Sequence, residues 1–232
     1  MKLMNQNITE FLSLKGIKIV RFVDVSHLNP NQTLGYKTAI LFAIPLSVGY
    51  VRKVYANPDY VRDMIRHKEV DQDEFNLIEK KTDRLADEVA DYLISNGYKA
   101  YSQSERNIEA THRYNQTEHR TPLPHKILAL KAGMGWIGKH NLLVNTVYGS
   151  ALSMCSVLTN AKLETRNHKP SVSKCGDCMV CVKACAPGAL NAVSWNDQLD
   201  RDDIVNIRKC TTCIQCMMAC PWTQKYAMAV HD

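Results

Sequence analysis

Two cysteine runs limit what this chain can fold into more than any other feature. "CGDCMVCVKAC" (175–185) and "CTTCIQCMMAC" (210–220) share the spacing C-x2-C-x2-C-x3-C. Eight soft thiolates in one short region suit iron–sulfur clusters or zinc. Three cysteines spaced by two residues can wrap one face of a cubane, and the chain that follows carries the fourth away. In two-cluster ferredoxins that fourth cysteine serves the other cluster. The expected ligand sets are therefore Cys175, Cys178, Cys181 and Cys220 for one [4Fe–4S] cluster, and Cys210, Cys213, Cys216 and Cys185 for the other. Structural zinc usually pairs two separated C-x2-C knuckles, which tandem triplets do not follow. Pro221 comes directly after Cys220, whereas Ala186 separates Cys185 from Pro187. Cys155, the ninth cysteine, falls in an apolar strand and reads as a small buried residue.

The 174 residues upstream are far more than an electron carrier needs. Their pattern reads as strands alternating with helices, an α/β layer. "IKIVRFVDV" (17–25), "TAILFAIPL" (38–46), "YKAYSQ" (98–103) and "YGSALSMCSVLTN" (148–160) have strand character. Residues 5–14 and 73–96 have helical spacing, stopped by Gly16 and Gly97. Residues 104–124 are polar and without period, which suits a lid or ligand loop. "AKLETRNHKPSVSK" (161–174) reads as a charged linker. The expected organisation is α+β, with a cofactor- and substrate-binding α/β domain over 1–165 and a double-cluster ferredoxin-like domain over 166–232. The longest apolar run, 38–51, is broken by Pro45 and too short to span a bilayer. With no secretory h-region at the start, a cytoplasmic protein without membrane attachment is expected. In that compartment cysteines serve metals more often than disulfides. The net charge of +6 is unevenly spread, +7 over residues 1–174 and −1 over 175–232, and the basic part reads as an ordinary solvated surface.

"AGMGWIGKHNLLVNTVYGSALSMCSVLTN" (132–160), a cysteine run ending in "GAL" and then "CPW" together resemble the epoxyqueuosine reductase family, and more distantly the reductive dehalogenases. The resemblance is specific over about 125–222 and follows the same order of elements over 16–103. It implies a nitroreductase-like N-terminal domain that holds cobalamin, or less readily FMN, beside the clusters. The electrons would then serve a corrinoid, which needs a strongly reducing donor. Gly133, Gly135, Trp136, Gly138 and Lys139 would lie near that cofactor. Read from the residues alone, the same stretch is a helix C-cap followed by a tight turn.

Family members carry an acidic proton donor in a Val-Asp-Ser-type stretch. Counted back from Gly-X-Gly-Trp, its place falls on His119 in "EHRTP" (118–122), with Tyr114 as a second candidate donor. The family's C-terminal helical extension, associated with tRNA binding, has no counterpart after Trp222. The resemblance implies a reductase acting on a small molecule or modified nucleoside, with tRNA contact open, and a ferredoxin or flavodoxin as low-potential donor. The alternative is a non-catalytic ferredoxin-like protein that passes electrons to a separate corrinoid protein or reductase.

Overall fold

The computed structural model of the chain describes residues 2–229 and is of the α+β class. Six strands are present among them: β1 (Ile19–Asp24), β2 (Thr38–Pro45), β3 (Ala100–Ser102), β4 (Trp136–Ile137), β5 (Leu143–Val144) and β6 (Leu152–Thr159). No helix among the described residues is long and apolar enough to cross a membrane.

The chain divides into two compact units, each assembled from separated segments. The first comprises 1–44, 78–133 and 153–169; the second comprises 45–77, 134–152 and 170–232. Composition suggested one boundary near residue 165, but the packing groups two upstream segments with the cysteine runs.

The first unit is built on a four-stranded sheet in the order β1-β2-β6-β3. β2 runs antiparallel to β1, with Ile19 opposite Ala43 and Asp24 opposite Thr38. β3 runs antiparallel to β6, with Ala100 opposite Thr159. β2 is central and buried on both faces from Thr38 to Ala43, which explains its unbroken apolar run. The helix Glu74–Ser95 buries Thr82, Leu85, Ala86, Val89, Ala90 and Leu93, a stripe at helical period. Leu85, Ala86, Val89, Ala90 and Leu93 pack with Ile40 and Phe42 of β2, and with Ile8 and Leu12 of the helix Lys2–Leu14. Burying each of the Leu, Val, Ile and Phe side chains among them stabilises the fold by roughly 1.5–3 kcal/mol.

The polar stretch after β3 contains a short helix, Glu105–Ala110, that no period announced. Its start is fixed instead by a cap: the Ser104 hydroxyl accepts from Asn107 N–H and donates to Asp87 at 2.7 Å.

The second unit is a set of short helices around the cysteine runs. Val180–Lys183 and Gln215–Met218 occupy the same place in the two runs, each beginning two residues after the run's second cysteine. An isolated antiparallel bridge, Leu190 to Val205, joins the stretches between them. The segment 45–77 belongs here because its helix Val48–Ala56 is hydrogen-bonded to the cysteine region. Gln215 Nε2 donates to the Val54 carbonyl at 2.9 Å, Arg52 donates to that of Ala227, and Tyr226 Oη donates to that of Leu46. These are backbone carbonyls at the ends of short elements, where partners inside the element run out.

Candidate functional site

The eight run cysteines all lie in the second unit and sort by proximity into two sets. Burial pushes the Cys181 thiol up to about 11, and the charges of Cys175, Cys220 and Cys178 add to the effect. Burial likewise pushes Cys216 up to about 12, with Cys210 and Cys213, then Cys181 and Cys185, as its charged neighbours. Cys220 is raised chiefly by burial and held back by the backbone N–H groups of Trp222 and Thr223. Cys175, Cys220 and Cys178 are thus neighbours of Cys181, and Cys210 and Cys213, followed by Cys181 and Cys185, are neighbours of Cys216.

Thiols crowded in this way resist ionisation until a cation joins them, and thiolate is the form that binds metal. Backbone donors reach both sets: Ala189 N–H donates to Cys185 Sγ at 3.3 Å, and the start of the helix Pro221–Ala229 faces Cys220. Among the described residues no three His, Cys, Asp or Glu side chains are grouped so as to hold a single metal ion. The donor chemistry, two sets of four thiols with N–H groups beside them, fits iron–sulfur clusters.

The segment Gly135–Lys139 packs onto this region. β4 pairs with β5, Trp136 opposite Val144, and a Cβ on Gly135 would stand 1.9 Å from the Val144 carbonyl oxygen. Only glycine lets the two backbones approach so closely. Trp136 is 1% exposed and packs with Val144, Cys220 and Cys175. Trp222 meets it edge-on at 5.1 Å between centroids, and Lys174 Nζ lies 5.4 Å from its ring. Lys139 is buried and donates from Nζ to the Gly176 carbonyl at 2.8 Å, inside the first cysteine run. A Cβ on Gly138 would meet the His140 ring and Val144. Gly133, in the first unit, has φ +68° and backs onto the His168 ring. The space beside these glycines is taken by the protein's own atoms. The contacts are those of a helix end and a tight turn rather than a face open to a corrin ring.

The first unit holds a cavity of about 360 Å³. Its lining includes the carboxylates Glu79, Asp83, Glu105 and Glu109 with Tyr114 and His125, and no lysine or arginine. Asp83 sits on the inner face of the long helix, where burial raises its pKa against hydrogen bonds from Glu105 N–H and the Cys155 thiol. Burial pushes His125 down to about 4, so the imidazole is neutral near pH 7. Its Nδ1 lies 2.9 Å from Ser156 Oγ, to which Gln103 Nε2 also donates at 2.6 Å. Phosphate-bearing groups such as that of FMN are disfavoured by such a lining, whereas neutral or cationic molecules suit it.

Of the two expected proton donors, Tyr114 lines the cavity and His119 does not. His119 is exposed, with φ +51°, in the turn closed by the Asn115–Arg120 bridge. The two are linked, with Tyr114 Oη 3.2 Å from His119 Nδ1. Asp83, Gln103, His125 and Ser156 were not anticipated. Only Ser156 carried a signal, as a polar residue in the largely apolar strand β6.

No family model matches the chain. An epoxyqueuosine reductase of Synechococcus sp. (strain RCC307) is 30% identical over 132 residues, 52% of this chain and 41% of that protein. One from Yersinia pestis is 28% identical over 126 residues, 48% of this chain and 30% of the relative. The chain thus spans about two-fifths or less of these curated relatives. Among solved structures, the epoxyqueuosine reductase of Streptococcus thermophilus aligns with TM-score 0.50 and 17% identity over 95% of this chain and 66% of that one. The catabolic reductive dehalogenase NpRdhA aligns with TM-score 0.62 and 16% identity over 90% of this chain and 30% of that one. The chain is epoxyqueuosine reductase-like in sequence, and it shares the α+β fold of both groups.

Proposed function

We propose, from this likeness, that the chain is an iron–sulfur oxidoreductase whose two [4Fe–4S] clusters supply electrons for the reduction of a small organic substrate, with a modified nucleoside as the substrate class. The observation that carries the reading is the gathering of eight thiols in one unit as two neighbouring sets of four. Cys175, Cys178, Cys181 and Cys220 would hold one cluster and Cys210, Cys213, Cys216 and Cys185 the other. The clusters supply one-electron chemistry at low potential.

A corrinoid is implied by the relatives, one of the dehalogenase structures being described as bearing on B12-dependent dehalogenation. Gly135, Trp136, Gly138 and Lys139 do not fit such a ring, since their contacts are already made within the protein. No step is therefore routed through it.

The cavity favours catalysis over a pure electron carrier, because a carrier has no use for a recess lined by hydrogen-bonding side chains. Reductive cleavage of a C–O bond takes two electrons, delivered singly by the clusters: the bond pair stays on oxygen, which takes a proton, and the carbon that receives the added pair takes a second proton or forms a C=C bond as a neighbouring oxygen leaves. Tyr114 Oη would give that proton, and His119 Nδ1 beside it would return one from solvent. His125, neutral and fixed by Ser156, would serve as a hydrogen-bonding wall rather than as an acid.

Anaerobic reconstitution followed by iron and sulfide analysis, with cobalamin and FMN offered in parallel, tests the reading. About eight irons per chain are expected, with no FMN retained through gel filtration. Iron-free protein, or a flavin retained in its place, would contradict it.

A further inference from the structure

The indole N–H of Trp136 is buried and has no hydrogen-bond partner among the described residues. A buried donor left unpaired is costly, and in native proteins it usually marks a partner that the polypeptide itself does not supply. Trp136 is packed against Cys220 and Cys175, two of the thiols assigned to one cluster. The position of the ring is strongly determined. Gly135 brings β4 onto β5 behind it, Trp222 closes it edge-on, and Lys174 lies over its face.

We infer that Trp136 Nε1–H is a hydrogen-bond donor to the cluster held by Cys175, Cys178, Cys181 and Cys220, and that it sets that cluster's reduction potential. The inference rests on the cluster reading above and adds a role to a residue expected to contact a different cofactor. The physical basis is charge. Reduction adds an electron to a cluster that is already anionic with its four thiolates. A donor aimed at its sulfur stabilises the reduced form more than the oxidised one. Among the described residues Trp136 is the only tryptophan whose indole N–H is buried without a partner, and Cys210 of the other set is exposed while Cys220 is buried. The two clusters should therefore differ in potential, with Trp136 acting on one alone.

The test compares reconstituted wild-type protein with Trp136→Phe by iron and sulfide analysis and by redox titration followed by EPR. A charge-assisted hydrogen bond alters an equilibrium about tenfold. Its loss should lower one of the two midpoint potentials by about 59 mV, the one-electron equivalent of tenfold, and leave the other in place. Benzothienylalanine at position 136 keeps the bicyclic shape without the N–H and covers the case in which Trp136→Phe folds poorly; the same shift is expected. In the wild type, pulsed EPR after transfer to D2O should detect an exchangeable proton coupled to the reduced cluster that either variant lacks. Two intact clusters with unchanged potentials in both variants would overturn the inference and leave the cluster reading standing. Wild-type protein that binds no iron would overturn both.

Discussion

Replacing Gly135 with alanine would put a methyl carbon 1.9 Å from the Val144 carbonyl oxygen, 2.9 Å from its carbon and 3.3 Å from Asn145 Cα. All three are backbone atoms, so no side-chain rotation relieves the clash. β4 and β5 would have to separate by more than an ångström, giving up the pairing of Trp136 with Val144 and Ile137 with Leu143. The lost backbone hydrogen bonds cost about 1 kcal/mol each. Loosening the packing of Trp136, Val144 and Cys220 adds a cavity cost, for a total of about 3–4 kcal/mol. Gly49→Ala is the control in the same unit: its added carbon meets only Ser47 Oγ, at 3.9 Å, within the helix Val48–Ala56. That change should stabilise by a few tenths to about 1 kcal/mol through helix propensity. Guanidinium denaturation, with iron content measured after reconstitution, should show opposite shifts in midpoint and loss of cluster iron in Gly135→Ala only. Equal stability of the two variants would refute the view that this glycine serves close backbone packing.

His125 should titrate near 4 by NMR of its ring protons, not near 6.5. With the folded value depressed below the unfolded one, its contribution to stability is present above about 6.5 and lost as pH falls towards 4; a His125→Gln variant should show a shallower acid slope, and a ring titrating near 6.5 would contradict the burial argument. Lys139→Met leaves the Gly176 carbonyl without its buried donor and should cost about 1–3 kcal/mol, read as a lowered midpoint and faster iron loss to a chelator. Tyr114→Phe should lower the rate of substrate reduction by about a hundredfold, and His119→Ala by less, because only Tyr114 lines the cavity. Equal effects, or an effect of His119 alone, would reverse the assigned roles.

Much of the fold was legible because it is written in period and punctuation. The stripe from Leu85 to Leu93, the continuous run of β2 and the stop at Gly97 each follow from a local rule, and each stands where the pattern put it. The grouping of segments was not legible. Residues 45–77 join the cysteine region through Gln215, Arg52 and Tyr226, single side chains reaching backbone carbonyls more than a hundred residues away. Composition carries no trace of such contacts. The helix Glu105–Ala110 was missed for a different reason: at six residues it is too short for a stripe and depends on the Ser104 cap. Within the cavity, Thr82 and Asp83 looked like ordinary members of a polar helix. Their position on its buried side becomes clear only once β6 supplies Ser153 and Cys155 opposite them. Gly-X-Gly-Trp was recognisable as a motif, yet the sequence left two readings of it, and the carbonyl of Val144 behind Gly135 favours the turn.

The crossed assignment of cysteines is the claim on which the rest depends, and a single-site exchange tests it. Cys220→Ser, reconstituted anaerobically and examined by EPR and Mössbauer spectroscopy, should lose or convert the cluster of Cys175, Cys178 and Cys181. The cluster of Cys210, Cys213 and Cys216, its neighbours in sequence, should remain intact. Damage confined to that neighbouring cluster would contradict the account.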